Sequence, residues 1–370
     1  MIHMAKYIFI LGRNPSLSVA EIKAVLPELK VSKSDDCCLI GETAKLDCQQ
    51  AINRLGGTVK IGIHLGEKID ERPILEAADS LPAGKRFNFG FSFYGVKAQN
   101  PGLRIKKILK ERGRSARLVT SREPALSSVI VKKEKCQDYL VGDGWFGFTC
   151  AVQDFKDYAE MDYGRPQADA LSGMLPPKLA KIMLNLSGAG PNDLLLDPFC
   201  GSGTIVSQAI ERGQKRIIGC DLSAKAVFDT QKNADWLIDK LKINDLELEV
   251  FKCDARQLAQ KIRPGSAAAI VTEPFLGQPI KGNESEGTIR KIAGEVQELY
   301  AASLQKFKKV LKPGGRAVMV VPQWHVGGKI NKIDVNKMIK QAGLKRLDRD
   351  DLIYFRPQQK VWRQIVIFEK

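Results

Sequence analysis

The second half of the chain alternates short strand-like runs with stretches of helical hydrophobic spacing. The strand-like runs cover residues 194–196, 217–220, 248–251, 267–272 and 316–321. Between them, apolar residues recur every three or four positions, which is the spacing of a helix with one buried face. Strands that alternate with helices predict an α/β fold, in which helices wrap a parallel sheet and ligands bind beyond the carboxyl ends of the strands.

The first third of the chain has a different order of elements. Residues 6–65 follow the order β-α-β-β-α-β, which is typical of a small ferredoxin-like α+β sandwich. Its first helix is expected to begin with a capping box, in which Ser18 is the N-cap and Glu21 reaches back from the third position. A second group of strands comes next. Residues 87–94 alternate as a half-buried strand does, and residues 127–131 are expected to form another strand.

The chain is strongly basic. It has 58 Lys and Arg against 42 Asp and Glu, which gives a formal net charge of +16. A protein this basic most often meets a polyanion, so RNA or DNA is the first candidate partner, although a merely basic soluble surface is the alternative. The helix predicted over residues 101–112 allows the same two interpretations, a phosphate-binding ridge or a solvated face.

The cysteines and the apolar runs indicate in which cellular compartment the protein is expected. None of the eight cysteines forms a CxxC pair, so the sequence indicates neither a zinc site nor a redox-active dithiol. Several lie in strand-like runs, where cysteine acts as a small hydrophobic residue, and this usage fits a reducing cytosol. No apolar run reaches membrane-spanning length, and the first residues lack a signal peptide's long core. We therefore expect a cytoplasmic protein without a metal.

A glycine turn follows the first strand-like run of the second half. Asp197 ends the run, and Gly201, Ser202 and Gly203 precede a helical pattern. Because glycine has no Cβ, such a turn lets the backbone come close to a ligand. Asp221 ends the next strand at close to the spacing of about twenty residues at which an acid holds ribose hydroxyls. This unit predicts an adenosine-bearing cofactor, and an ordinary βα turn with helpful glycines is the alternative.

Acids follow three successive predicted strands: Asp221, Asp254 and Glu273. The carboxyl ends of strands in one parallel sheet lie at the same edge, so these side chains are expected to be neighbours. Asp221 suits the ribose hydroxyls, Asp254 can accept from the adenine amino group, and Glu273 would face the substrate. Each acid alone is more often a helix cap or a turn residue, but together with the glycine turn they predict a cofactor site.

The run DPFCGSGT, residues 197–204, resembles motif I of S-adenosylmethionine-dependent methyltransferases that act on exocyclic amines of nucleic acids. Other stretches resemble one family in particular, the tRNA guanosine-N2 methyltransferases that modify the tenth nucleotide. YIFILGRNPSLSVAEI (7–22) resembles their N-terminal ferredoxin-like domain, and FGFSFYG (89–95) through SSVIVKK (127–133) resembles their RNA-binding THUMP domain. Residues 162–186 are similar to the linker and helix that lead into their catalytic domain.

This resemblance implies a domain order, a cofactor and partners. The expected domains are a ferredoxin-like domain over residues 1–67, a THUMP-like domain over 68–154, a linker over 155–177 and a Rossmann-like methyltransferase domain over 178–370. The implied cofactor is S-adenosylmethionine and the implied substrate is tRNA; some relatives also work with a small activator protein. The residues implied at the cofactor are Asp197, Phe199, Gly201, Gly203, Asp221 and Asp254.

The residues at motif IV depart from the family pattern. That motif is typically Asp-Pro-Pro-Tyr or Asp-Pro-Pro-Phe, whereas here Glu273, Pro274 and Phe275 follow the predicted strand. The resemblance implies that the Glu273 carboxylate and the Pro274 carbonyl accept the two N–H groups of the target amine, while Phe275 stacks on the base. The expected activity is methyl transfer to the N2 amine of a guanosine in tRNA. Methylation of another amine in rRNA or DNA, and RNA binding with weak catalysis, are the alternatives.

Overall fold

A computed structural model describes residues 4–99, 101–154, 164–167, 174–347 and 351–370. Contacts divide the chain into two compact units. The first unit comprises Met1–Pro15 and Leu26–Asp157, and the second comprises Ser16–Val25 and Tyr158–Lys370. The first helix therefore belongs to the second unit, although the strands before and after it belong to the first.

The first unit contains an eight-stranded sheet in the order β2-β3-β1-β4-β8-β7-β5-β6. Its strands are β1 (Met4–Leu11), β2 (Lys30–Ser34), β3 (Cys38–Ala44), β4 (Thr58–Gly66), β5 (Phe87–Phe93), β6 (Ala116–Val119), β7 (Gln137–Gly142) and β8 (Trp145–Val152). Strand β5 pairs in parallel with β6 and β7, and the other neighbours are antiparallel. The alternating phenylalanines of β5 lie in one core with Ile105 and Leu109, so this strand was predictable from its period.

Four helices accompany this sheet within the described part of the first unit. They are Cys48–Arg54, Arg72–Asp79, Pro101–Glu111 and Ser128–Lys133. The last of them corrects the prediction of a strand over residues 127–131. Ser127 caps the helix by accepting from the backbone N–H of Ile130, and Val131 is buried among Val119, Leu126, Cys136 and Val152. Capping and tertiary burial outweigh the strand propensity of this β-branched run.

A disulfide joins Cys48 and Cys150, whose Cα atoms lie 6.0 Å apart. The remaining six cysteines are free thiols, and five of these are buried. The expectation of a reducing compartment did not include this bond, since the two residues are separated by 102 positions. No spacing rule for short motifs detects a pair so far apart.

The second unit contains a nine-stranded sheet, whose main path runs β11-β10-β9-β12-β13-β17-β15. Its strands are β9 (Leu194–Asp197), β10 (Arg216–Asp221), β11 (Glu247–Lys252), β12 (Ala267–Thr272), β13 (Leu311–Val326), β14 (Lys329–Lys332), β15 (Lys345–Arg346), β16 (Leu352–Tyr354) and β17 (Val361–Glu369). The first five strands of this path, β11, β10, β9, β12 and β13, run parallel to one another, and β17 is antiparallel to β13. The predicted α/β fold is confirmed.

Helices pack around this sheet as the apolar spacing predicts. The described helices of the second unit beyond the first are Pro177–Leu186, Thr204–Glu211, Ala224–Leu241, Glu286–Val310 and Val335–Gln341, with a 3-10 helix at Ala255–Gln260. Two hydrophobic cores fill the unit, and residues of β9, β12 and β13 contribute to both because these central strands are covered on both faces. Among the described residues, no helix is both long and apolar enough to cross a membrane.

The first helix, Pro15–Val25, corrects the predicted capping box. Ser18 lies inside the helix and is buried, so it is not the N-cap. The buried Glu21 carboxylate accepts from the Asn185 side-chain amide at 2.7 Å. Leu17 joins a core of the second unit. The motif was misleading because the helix begins earlier, at Pro15, a residue favoured in the first turn.

Candidate functional site

A cavity of about 1120 Å³ opens where β9, β10, β11 and β12 end. All predicted site residues except Gly203 line it: Asp197, Phe199, Gly201, Asp221, Asp254, Glu273, Pro274 and Phe275. The cavity exceeds the range of roughly 300–1,000 Å³ that is usual for small-molecule sites. The described residues therefore leave space for a cofactor and for part of a substrate.

The glycine turn requires glycine for two different reasons. Gly201 has φ +52° and Gly203 has φ +83°, both in the left-handed region that other residues rarely adopt. A Cβ on Gly203 would lie 3.0 to 3.1 Å from atoms of Thr230, so this residue lets the turn pack against helix Ala224–Leu241. A Cβ on Gly201 would meet no protein atom within 4 Å, and this residue lines the cavity. A ligand can thus approach the backbone at Gly201.

Polar side chains of helix Ala224–Leu241 hold the glycine turn in place. Thr230 donates its hydroxyl to the Gly201 carbonyl at 2.8 Å, and Asn233 donates its amide to the Ser202 carbonyl at 2.8 Å. Both side chains are buried. No sequence motif marks this pair, although two polar residues three positions apart on the buried face of a helix are a recognisable signal.

The Asp221 carboxylate is oriented by two backbone amides. It accepts from the Gly201 N–H at 3.0 Å and from the Ser223 N–H at 2.9 Å, one at each oxygen. Since the residue lines the cavity and is only half-buried, each oxygen keeps acceptor capacity toward a ligand. This arrangement can accept hydrogen bonds from a pair of hydroxyl groups, as the sequence predicted for a ribose.

Asp254 has a partner that the sequence did not indicate. Arg256 donates to its carboxylate through Nε and Nη2, at 3.0 Å and 2.6 Å, and the same carboxylate caps the short helix Ala255–Gln260. The side-chain hydrogen bond from Arg256 is the main reason that the pKa of Asp254 is lowered. Asp254 lines the cavity, but its carboxylate already accepts hydrogen bonds from Arg256.

Asp197 is a buried acid at the base of the cavity. Its Oδ1 accepts from the Thr272 hydroxyl at 2.8 Å and from the Phe199 N–H at 3.3 Å, and only 1% of the residue is exposed. Burial raises its pKa to about 7, and the neighbouring charges of Asp221 and Glu273 add to this rise. Its hydrogen bonds tie the ends of β9 and β12 together beneath the glycine turn.

Glu273 forms a buried ion pair with Arg363 of β17. The Nε of Arg363 donates to the Oε1 of Glu273 at 2.6 Å, and the two side chains are 7% and 14% exposed respectively. Burial raises the pKa of Glu273, while the positive charge and hydrogen bond of Arg363 oppose that rise. No local sequence pattern links Arg363 to Glu273, because the two residues are 90 positions apart.

Two buried aromatic residues fix the loop after Glu273. Tyr300 donates its hydroxyl to the Phe275 carbonyl at 3.1 Å, and the Trp324 indole donates to the Leu276 carbonyl at 3.0 Å. The Phe275 side chain itself remains exposed, with 42% of its surface open. The loop therefore presents an aromatic ring beside the cavity on a constrained backbone, which is what stacking on a base requires.

These residues fit S-adenosylmethionine. The open space beside Gly201 admits a ligand to the backbone, and Asp221 lines the cavity with its carboxylate held by two backbone N–H groups. Phe199, Leu222 and Ile280 provide apolar wall for a flat ring. The cavity can thus accept an adenosine moiety at the glycine turn and leave the side of Glu273 for a second molecule.

Comparison with known families identifies the class of this domain. Residues 166–326 match the family model described as UPF0020: RMKL-like, methyltransferase domain. The crystal structure of TrmN from Thermus thermophilus resembles the full chain with a TM-score of 0.55 at 17% identity, covering 100% of both chains. Residues 166–326 of the second unit therefore match a methyltransferase domain, and the chain shares its fold with TrmN.

Curated relatives cover part of the chain. The tRNA (guanine(10)-N2)-dimethyltransferase of Methanothermobacter thermautotrophicus is 35% identical over 153 residues, which are 41% of this chain and 40% of that protein. The enzyme of the same name from Methanocaldococcus jannaschii is 29% identical over 181 residues, or 48% of this chain and 46% of that protein. The chain thus spans less than half the length of these relatives.

The fold class, the methyltransferase domain and its cofactor are confirmed. The boundaries of the N-terminal domains, the THUMP-like module and the individual roles of the site residues stay predictions. The structure adds the geometry in which those roles can be tested.

Proposed function

We propose that the protein transfers a methyl group from S-adenosylmethionine to the exocyclic N2 amine of a guanosine in tRNA. One observation carries this proposal: Glu273 lies at the end of β12 in the same cavity as the glycine turn and Asp221. An acid beside the cofactor end of the cavity can position an amine for methylation. The names of the curated relatives support tRNA guanine as the target.

The cofactor end of the site uses the glycine turn and its supports. Asp221 accepts from the ribose hydroxyls, and the backbone at Gly201 borders the ligand. Asp197 and Gly203 act beneath the turn by fixing its backbone, and Phe199 and Asp254 border the ligand from the cavity wall. When bound, S-adenosylmethionine supplies an electrophilic methyl group.

The substrate end of the site positions the target amine. An exocyclic amine is a weak nucleophile because its lone pair is delocalised into the ring. Arg363 donates to Oε1 of Glu273, so Oε2 accepts one N–H of the amine. The Pro274 carbonyl accepts the other N–H, since the next two carbonyls already have donors, and Phe275 stacks on the extruded base.

The first unit is proposed to hold the tRNA. The net charge of +16 belongs to the whole chain and suits a polyanion, while the resemblance of residues 68–154 to a THUMP domain supports RNA binding by the first unit. Residues 1–67 are proposed to form the ferredoxin-like domain of the family. We propose a cytoplasmic location, and a small activator protein as an additional partner that the resemblance implies.

A methyl-transfer assay on bulk tRNA, followed by nucleoside analysis, tests this function. N2-methylated guanosine is the expected product. A methylated adenosine, or activity on rRNA or DNA alone, would establish the alternative of another nucleic-acid amine. Tight RNA binding without any product would establish a protein that keeps the fold with weak catalysis.

Glu273 variants test its role in the reaction. Glu273→Ala is expected to lower turnover on the order of a hundredfold while S-adenosylmethionine affinity stays near that of the wild type, because the acid acts mainly in the transition state. Glu273→Asp is expected to fall short of the amine and lose activity. Turnover that is unchanged in Glu273→Ala would remove this residue from the mechanism.

A further inference from the structure

Three aromatic rings form a stack in the second unit. The Trp362 ring lies 3.8 Å from the His325 ring and 4.5 Å from the Phe355 ring, with interplanar angles of 28° and 24°. All three residues are half-buried, whereas Trp324 and Phe368 of the same two strands are fully buried. A stack that stays partly exposed keeps surface on which another flat ring can pack.

The stack is attached to the wall of the cavity. Gln359 and Lys360 line the cavity together with Glu273. The Trp362 indole donates to the Gln359 carbonyl at 3.2 Å, and the His325 N–H donates to the Lys360 carbonyl at 2.8 Å. A polymer that places one base in the cavity can therefore extend its next unit onto the rings.

Positive charge surrounds the stack. Lys332 and Lys360 are exposed, and both lie close enough to His325 to contribute, after burial, to the lowered pKa of its imidazole. The lowered pKa disfavours a charged imidazole, so the positive charge beside the stack comes from the two lysines. Exposed Arg356 lies over the Tyr354 ring, 6.0 Å from its centroid. Cations beside a stack of aromatic rings suit a single strand, in which phosphates alternate with bases.

We propose that His325, Trp362 and Phe355, together with Lys332 and Lys360, bind an unpaired RNA nucleotide next to the target base. We name these five residues the aromatic platform. The base packs on the exposed part of the ring stack, and the adjoining phosphates pair with the two lysines. This inference rests on the proposed function for the identity of the polymer as RNA, and it assigns a substrate contact to the methyltransferase domain itself.

Fluorescence anisotropy of the full-length protein with a labelled single-stranded RNA of about twelve nucleotides tests the platform. Phe355→Ala is expected to weaken binding about tenfold, because it removes one stacking ring. Trp362→Phe keeps a ring in the stack and should retain most of the affinity. Phe228→Ala is the matched control, since Phe228 is 55% exposed on helix Ala224–Leu241 outside the platform, and it should bind as the wild type does. Thermal unfolding confirms that each variant is folded.

A second variant tests the platform without changing how the rings pack. Lys360→Ala removes an exposed charge and should reduce the slope of log affinity against log salt by about one. Two results would refute the platform. One is that Phe355→Ala binds single-stranded RNA as tightly as the wild type does. The other is that Phe355→Ala weakens binding of duplex RNA as much as it weakens binding of single-stranded RNA. A platform that binds another protein would give the first of these results.

The two proposals fail in different ways. Binding of single-stranded RNA that depends on Phe355, in a protein that transfers no methyl group to any RNA, would refute the proposed function and leave the platform standing. Methyl transfer to tRNA in which neither KM nor RNA affinity responds to Phe355→Ala would support the proposed function and refute the platform.

Discussion

Replacing Arg363 with glutamine should expose the electrostatic cost of the buried Glu273. Arg363 donates to Glu273 at 2.6 Å, and both side chains are largely buried, so solvent cannot replace the lost charge. Removing one partner of a buried pair costs about 3–5 kcal/mol of unfolding free energy, because the other charge stays uncompensated. The double variant Arg363→Gln with Glu273→Gln should recover much of this loss, since it removes the remaining charge as well.

The cost of Arg363→Gln should also depend on pH. Burial raises the pKa of Glu273, and Arg363 opposes that rise, so this pKa climbs further in the variant. A folded-state pKa above the unfolded value makes the folded state lose relative stability as pH rises, since the unfolded chain releases its proton first. The stability deficit of the variant should therefore be larger at pH 8 than at pH 5. Asp197 and Tyr300 also face Glu273, but they are present in both proteins and largely cancel in the difference.

Chemical denaturation of the single and double variants at both pH values measures these effects. Arg316→Gln serves as the matched control, because Arg316 pairs with Glu369 at side-chain exposures of 45% and 28%. Such an exposed pair should contribute no more than about 1 kcal/mol. A double variant as unstable as Arg363→Gln, or a deficit that does not change with pH, would refute the assignment of Arg363 as the charge partner of Glu273.

Three further predictions concern the cofactor end, the base of the cavity and the disulfide. Asp221→Ala should weaken S-adenosylmethionine binding by about 1.5–3 kcal/mol, the value of a hydrogen bond to a charged group, and calorimetry that finds an unchanged Kd would contradict its ribose role. The pKa of Asp197 is raised by burial to about 7, so the contribution of Asp197 to stability should fall as pH rises from about 4 to about 7. Asp197→Asn should lose this dependence in melting temperatures taken across that range, and a parallel pH profile would be inconsistent with a buried acid. The Cys48–Cys150 bond closes a loop of about one hundred residues, worth about 4–5 kcal/mol in the chain-entropy model. Cys48→Ser should lower the Tm by as much as a reductant lowers that of the wild type, and a wild-type Tm insensitive to reductant would argue against the bond.

The sequence predicted the catalytic sheet well because its strands have a simple pattern. Strands covered on both faces need continuous apolar runs, and β9, β10 and β12 have them. The acids after such runs were then placed at one edge by the geometry of a parallel sheet. Local signals were weaker guides, as the helix Ser128–Lys133 and the false capping box show, because burial of Val131 and Glu21 is decided by distant residues.

Local sequence patterns do not predict the residues that support Glu273 and the loop after it. Arg363 lies on β17, and Glu273 follows β12. Both strands are neighbours of β13 in the sheet, and β17 pairs antiparallel with β13, which brings the two side chains together. Neither a period nor a motif specifies which residue of a final strand faces a given acid. The same holds for Tyr300 and Trp324, which look like ordinary core residues until their polar tips are seen to hold the loop after Glu273.

The first helix, Pro15–Val25, has a consequence for the order in which the protein can fold during synthesis. It lies near the start of the chain, yet Leu17 and Glu21 pack with residues of the second unit, including Asn185. At about 5–20 residues per second, a ribosome needs roughly 10–30 seconds to deliver the partner helix Pro177–Leu186 after this one has emerged. During that interval Leu17 has no core to join and is available to a chaperone. A fragment that begins after residue 26 would lack Leu17 and leave its place in the core of the second unit empty. A fragment made to test catalysis should therefore include residues 16–25, joined to the second unit by a new linker.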